Sequence, residues 1–218
     1  MRRPRVVLAD DHTLVVQGIG KLLESHFDLV GIAGDGRAAI EAARTLRPDV
    51  ILLDVAMPLL NGVEAARQIR KLAPDTKIVM LSMHADRMYV SAAFRAGCSG
   101  YLLKRSAASE LVFAIEEVLK GRYYVTPAVA SDVNHGDEEP GASRSKPPLG
   151  APLLTPRQRE VLQLVAEGKS IKEIASLLGI SRKTVEFHKS RIMSELDLHT
   201  TAELTKFAIA HGIASLES

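Results

Sequence analysis

The stretches Val6-Val7-Leu8-Ala9-Asp10-Asp11 and Val50-Ile51-Leu52-Leu53-Asp54 decide the fold. Each is a short apolar run that ends in carboxylates. Bounded runs of this length read as strands buried on both faces, as in a parallel sheet. Two further runs end differently: one closes on Ser82, and Tyr101-Leu102-Leu103 is followed by Lys104. In an open parallel sheet the carboxyl ends of the strands meet in one crevice. Three acids and an ammonium would then converge. Like charges packed that closely are costly, and a divalent cation with a phosphoryl group would relieve them.

Outward from these runs, residues 5–122 alternate strand and helix signals. Strands are expected at 5–9, 29–33, 50–53, 78–82 and 100–103, and helices near 13–25, 36–47, 62–72, 86–96 and 107–120. That alternation predicts an α/β fold, a doubly wound parallel five-stranded sheet of the flavodoxin-like kind. Boundary residues agree. Asn61 with Glu64 and Asp35 can cap helices, Pro48 stops one, and Gly97 and Gly121 stand where helices end. Asp49 and Asp75 precede strands, so they belong to the opposite rim.

The composition changes near Pro127. Gly, Pro, Ser and charge dominate 131–152, which cannot build a core. The expected organisation is a first domain over 1–125, a flexible linker over 126–152 and a second domain over 153–218. The second domain reads as helix throughout. Thr155-Pro156-Arg157-Gln158 and Ser170 with Glu173 are capping patterns, Gly179 ends one helix and Ser181 starts the next. Helix, short turn and helix across 170–196 is the spacing of a helix-turn-helix, in a small all-α domain.

A chain of 218 residues with 46 % hydrophobic and 25 % charged residues can fill two cores. Its net charge of +2 neither demands nor excludes a polyanion partner. One cysteine, Cys98, allows no internal disulfide and points to a reducing compartment. With no signal-peptide pattern and no span-length apolar run, a cytoplasmic protein without membrane contact is expected.

Phosphoryl transfer to an aspartate needs an exposed carboxylate, a cation and an electropositive clamp. Asp54 is the candidate acceptor. Asp10, Asp11, Asp54 and the backbone carbonyl of Ala56 offer hard oxygen ligands that suit Mg2+. Lys104 and Ser82 can contact phosphoryl oxygens. In the second domain, the helix after Ser181 is locally basic. Arg182 and Lys183 are placed to approach base edges, while Lys189 and Arg191 suit DNA phosphates. Glu186 can accept from a cytosine amino group or pair with Arg182. His188 reads as a packed helix residue.

Residues 5–122 resemble the receiver domain of two-component response regulators, on Leu8-Ala9-Asp10-Asp11-His12, Leu53-Asp54-Val55-Ala56-Met57-Pro58, Asn61-Gly62, Ser82 and Gly100-Tyr101-Leu102-Leu103-Lys104. From Thr155 to Ala210 the chain resembles the LuxR-type helix-turn-helix, on Leu154-Thr155-Pro156-Arg157, Gly168-Lys169-Ser170, Lys172-Glu173-Ile174-Ala175, Leu178-Gly179-Ile180-Ser181, Thr184-Val185 and His188. Together they resemble the NarL/FixJ type. The resemblance implies phosphorylation of Asp54 by a sensor histidine kinase, Tyr101 as a switch aromatic, and control of transcription through double-stranded DNA. It implies a phosphoacceptor, not a turnover enzyme. It adds Thr184 and Ser190 to the DNA-facing set, and an active homodimer with contacts near Leu204, Phe207 and Ala208. The chain departs from the pattern at Arg105, where receivers commonly carry proline. It departs again at Ile171, Glu186 and Ser190, where DNA-binding relatives commonly carry Asn, Lys and a basic residue. Those last departures keep open an alternative: a receiver-based signalling or phosphoryl-sink protein with weak DNA binding.

Overall fold

The computed structural model describes residues 2–129 and 154–214, which belong to two compact units. In the first, the order is β1 (Arg5–Ala9), α1 (Thr13–Glu24), β2 (Asp28–Ala33), α2 (Gly36–Leu46), β3 (Val50–Asp54), α3 (Gly62–Leu72), β4 (Lys77–Ser82), α4 (Arg87–Arg95), β5 (Gly100–Leu103), α5 (Ala107–Leu119) and β6 (Tyr124–Val125). The strands form one sheet in the order β2-β1-β3-β4-β5-β6, and every neighbouring pair is parallel.

Helices cover both faces, so β3 is buried along its whole length. Val7, Ile51, Leu53, Met80 and Tyr101 point to a core shared with α2, α3 and α4. Their strand neighbours Val6, Leu8, Leu52, Leu81 and Leu102 point to a second core with α1 and α5. The strand order reverses about β1 and β3, which places the ligand crevice at their carboxyl ends.

The sixth strand is one more than the five legible in the sequence. Two residues cannot show a period, so Tyr124–Val125 carried no signal. They are held by the Tyr124 N–H on the Ser99 carbonyl at 3.1 Å and the Thr126 N–H on the Tyr101 carbonyl at 3.0 Å. Packing continues past the expected boundary at Val125. Thr126 is buried and its Oγ1 accepts from the Leu103 N–H at 3.1 Å, and Val129 joins the first core. The rest of the expected linker, residues 130–152, lies outside the described residues.

The second unit has α6 (Pro156–Ala166), α7 (Ile171–Leu178), α8 (Arg182–Leu196) and α9 (Thr201–Ala210). Capping boxes at Thr155, Ser170 and Thr200 start three of them, and Gly179 closes α7 at φ 62°. Val161, Leu162, Ile174, Val185, Ile192, Leu204 and Ala208 are buried between them. Among the described residues, no helix is long and apolar enough to cross a membrane.

Candidate functional site

The crevice residues reach one another because each strand stops at the same rim. Asp10 follows β1, Asp54 ends β3, Ser82 ends β4 and Lys104 follows β5. Asp10 and Asp54 are each only 2 % exposed. Lys104 Nζ lies 2.8 Å from Asp10 Oδ2 and 3.0 Å from Asp54 Oδ2. Those two oxygens are closed off from solvent and face the lysine ammonium at charge-assisted hydrogen-bond distance. Carboxylate oxygens of Asp10, Asp11 and Asp54 and a ring nitrogen of His12 all lie within 4.8 Å of one another, a cluster typical of divalent-metal sites. Buried carboxylate oxygens whose charge a single lysine offsets only in part are what a hard cation would satisfy.

Burial is the largest influence on Asp54 and pushes its carboxyl from the ordinary 3.8 to about 6. The Asp10 charge adds to this rise. The Lys104 ammonium and the Ala56 N–H oppose it. Burial alone would depress Lys104, yet Asp54 and Asp10 outweigh it and raise its pKa. The pocket therefore holds a lysine that favours its charged form beside an Asp54 carboxyl that resists ionisation.

Loop geometry fixes Asp54. The Gly62 N–H donates to the Val55 carbonyl at 3.0 Å, and Asn61 Oδ1 caps α3 through the Glu64 N–H at 2.9 Å. A Cβ on Gly62 would overlap the Asp54 carbonyl, so only glycine lets α3 start this close to β3. Glu64 uses its carboxylate on Arg67, 2.9 Å away. Leu59, in the same loop, has φ 66°.

Ser82 is fully buried and its Oγ accepts from the His84 N–H at 3.0 Å. Tyr101 is also fully buried, and its hydroxyl donates to the His84 carbonyl at 2.7 Å. Burial pushes that phenol up to about 12. His84 stacks on Tyr89 with ring centroids 4.5 Å apart. His12, absent from the ligands expected on sequence, joins the acid cluster: its backbone N–H donates to Asp10 Oδ1 at 2.9 Å, and Nδ1 is 3.0 Å from Asp11 Oδ1. Its adjacency to the acid pair was the available signal. Asp49 serves the opposite rim, accepting from the Arg5 N–H at 2.7 Å.

In the second unit, Ser181 caps α8 through the Thr184 N–H at 3.1 Å, and the Thr184 hydroxyl lies 2.8 Å from the Ser181 hydroxyl. Arg182, Lys183, Glu186, Ser190 and Arg191 are exposed, whereas Lys189 is half-buried. Lys189 Nζ donates to Thr201 Oγ1 at 3.0 Å and Arg191 Nε to Glu195 Oε1 at 2.9 Å, so both cations already have partners. The Arg182–Glu186 pairing allowed by spacing is not among the ion pairs of the described residues. The residues near which dimer contacts are expected differ in exposure. Leu204 is 1 % exposed and Ala208 fully buried inside this unit, and only Phe207 keeps a partly open surface.

Comparison with known proteins adds to this geometry. Residues 6–116 match the family description "Response regulator receiver domain" and residues 152–208 match "Bacterial regulatory proteins, luxR family". The transcriptional regulatory protein MctR of Rhizobium johnstonii is 39 % identical over 97 % of this chain and 95 % of its own. Response regulator UvrY of Escherichia coli is 35 % identical over 98 % of this chain and 97 % of its own. A structure of two RcsB dimers bound to two parallel DNAs matches with TM-score 0.59 and 27 % identity, covering 96 % of this chain and 99 % of that one. A LuxR-family response regulator from Aurantimonas matches with TM-score 0.59 and 35 % identity over 61 % of this chain and 96 % of that one.

Proposed function

The chain belongs to the two-component response regulators that join a receiver to a LuxR-type DNA-binding domain, and on that premise we propose that Asp54 is its phosphoryl acceptor. Response regulators of this kind are phosphoacceptors on a receiver aspartate, not turnover enzymes. The observation that carries Asp54 is the Lys104 ammonium held 2.8 and 3.0 Å from Asp10 and Asp54 at the carboxyl rim of the sheet.

The donor is a phosphohistidine of a sensor kinase. An Asp54 carboxylate oxygen attacks phosphorus, a P–O bond forms, the P–N bond breaks, and the electron pair leaves with the imidazole nitrogen. The attack needs the ionised carboxylate, which Lys104 favours and burial opposes. Lys104 can turn from Asp10 to the incoming oxygens, and the Ser82 hydroxyl can donate to another. Bound Mg2+, held by Asp10, Asp11, Asp54 and the Ala56 carbonyl, would supply the positive charge that makes a phosphoryl group tolerable there. Tyr101 would report the state of the site, since its hydroxyl and the Ser82 oxygen both bond to the backbone of His84.

In the second unit, Arg182, Lys183, Thr184, Glu186, Lys189, Ser190 and Arg191 are the proposed DNA-facing residues, in a major groove of double-stranded DNA. Homodimers are the proposed active form, as in the RcsB–DNA structure. Phosphorylation would shift the population toward them through contacts that differ between two states.

The test is genome-wide footprinting with the natural chain and with Asp54→Asn. The expected result is occupancy that responds to the kinase in the natural chain and not in the variant. Equal occupancy would overturn phosphoryl control of DNA binding, and no occupancy by either would favour a receiver acting through protein contacts.

A further inference from the structure

Helix α8 exposes a residue that the charge pattern did not select. Phe187 is 59 % exposed in a helix whose apolar contacts are made by Val185 and Ile192. At helical spacing Lys183, Phe187 and Ser190 fall on one stripe opposite that buried side, and Glu186 flanks them on the Ser190 side. All four are exposed. The aromatic ring thus sits at the middle of the face proposed to enter DNA, two turns or less from the capped N-terminus at Ser181. The phenyl ring makes an edge contact with the ring of the adjacent His188, with centroids 5.8 Å apart. Glu186 belongs to no ion pair among the described residues, so its carboxylate remains an acceptor for an incoming donor.

A carboxylate and a phenyl ring side by side are poor partners for phosphate and for guanine, whose major-groove edge offers only acceptors. They suit a pyrimidine edge. Cytosine presents an N4 amino donor, and thymine presents a C5 methyl group that prefers apolar contact. We propose that Glu186 and Phe187 read adjacent cytosine and thymine in the major groove, and that this chain selects operators by pyrimidine edges. The inference rests on the DNA-binding reading above. Arg182 and Lys183 supply the attraction to phosphate that brings the pair to the bases.

The experiment is selection of bound duplexes from a randomised library with the full chain, followed by titrations of the selected site. Enrichment of sites with a cytosine next to a thymine is expected. Changing that thymine to deoxyuridine removes only the methyl group and should weaken the natural chain about fourfold, the value of one buried methyl. Phe187→Ala, at a largely exposed position, should bind both duplexes equally. Glu186→Ala, which removes the acceptor, should lose the preference for cytosine and, through weaker repulsion of phosphate, bind duplexes without it more tightly. Circular dichroism checks that both variants keep their helices. Selected sites without a pyrimidine step, or an unchanged preference in both variants, would overturn this inference and leave DNA binding intact. Failure of the natural chain to retain any duplex would overturn the DNA-binding reading with it, and a light-scattering mass that falls on Phe187→Ala without DNA would reassign the ring to a protein interface.

Discussion

Asp54 is ionised at a cost, and that cost is measurable. Its folded pKa is about 6 against an ordinary 3.8, so the folded state holds its proton more tightly. A group shifted upward weakens folding as pH rises: the penalty is absent below 3.8, grows through the window and is full above about 6. Without divalent cation, Asp54→Asn should therefore raise stability at pH 7 by about 1–3 kcal/mol and by little at pH 4. Urea titrations at the two pH values check this, and an equal gain at both would contradict it. Magnesium should raise the melting temperature of the natural chain more than that of the variant, because a ligand of the folded state stabilises by mass action. Most of these residues were legible beforehand. Asp10, Asp54, Ser82 and Lys104 each mark the end of an apolar run. His12 was not, because a histidine beside two acids looks like a helix start until the ring is seen turned back on them.

At the scale of elements, two joints position the pocket. The first is the start of α3. Gly62→Ala would force a methyl against the Asp54 carbonyl, and overpacking of this kind costs about 1–3 kcal/mol. Phosphorylation should suffer more than stability does, since the displaced atom belongs to the proposed acceptor residue. Comparing phosphorylation rate with urea midpoint would reveal it; parallel losses would mean the glycine serves folding alone. The second joint is the strand that the sequence did not reveal. Thr126 Oγ1 accepts from the Leu103 N–H, one residue before Lys104. Thr126→Val would leave that buried donor unpaired, at about 1–3 kcal/mol. Amide exchange at Leu103 should speed up in the variant, and unchanged exchange would show that the hydrogen bond is not limiting. Periodicity announced β1, β3 and β4 because they are long and buried on both faces. It missed β6 because two residues held by backbone hydrogen bonds need no particular side chain.

On the scale of the whole molecule, each unit has its own buried core. Composition located the junction between them only by what it lacks, apolar residues at a core-forming period. Charge pattern located α8, and the structure adds partners for two of its cations, Lys189 and Arg191. Both are tied to Thr201 and Glu195. Lys183→Ala should thus reduce DNA affinity uniformly across sequences and lower the salt slope by about one unit, whereas Lys189→Ala should change the slope less. Salt-titrated retention of a labelled duplex decides between them, and equal slopes for the two variants would contradict the geometry. The claim on which all of this depends is that a divalent cation and Lys104 make Asp54 the phosphoryl acceptor. Peptide mass mapping after incubation with acetyl phosphate and Mg2+ tests it most directly. One phosphoryl group on the peptide containing Asp54, lost with chelator and in Asp54→Asn, is the predicted result. An unmodified peptide, or a phosphoryl group mapped to another residue, would contradict it.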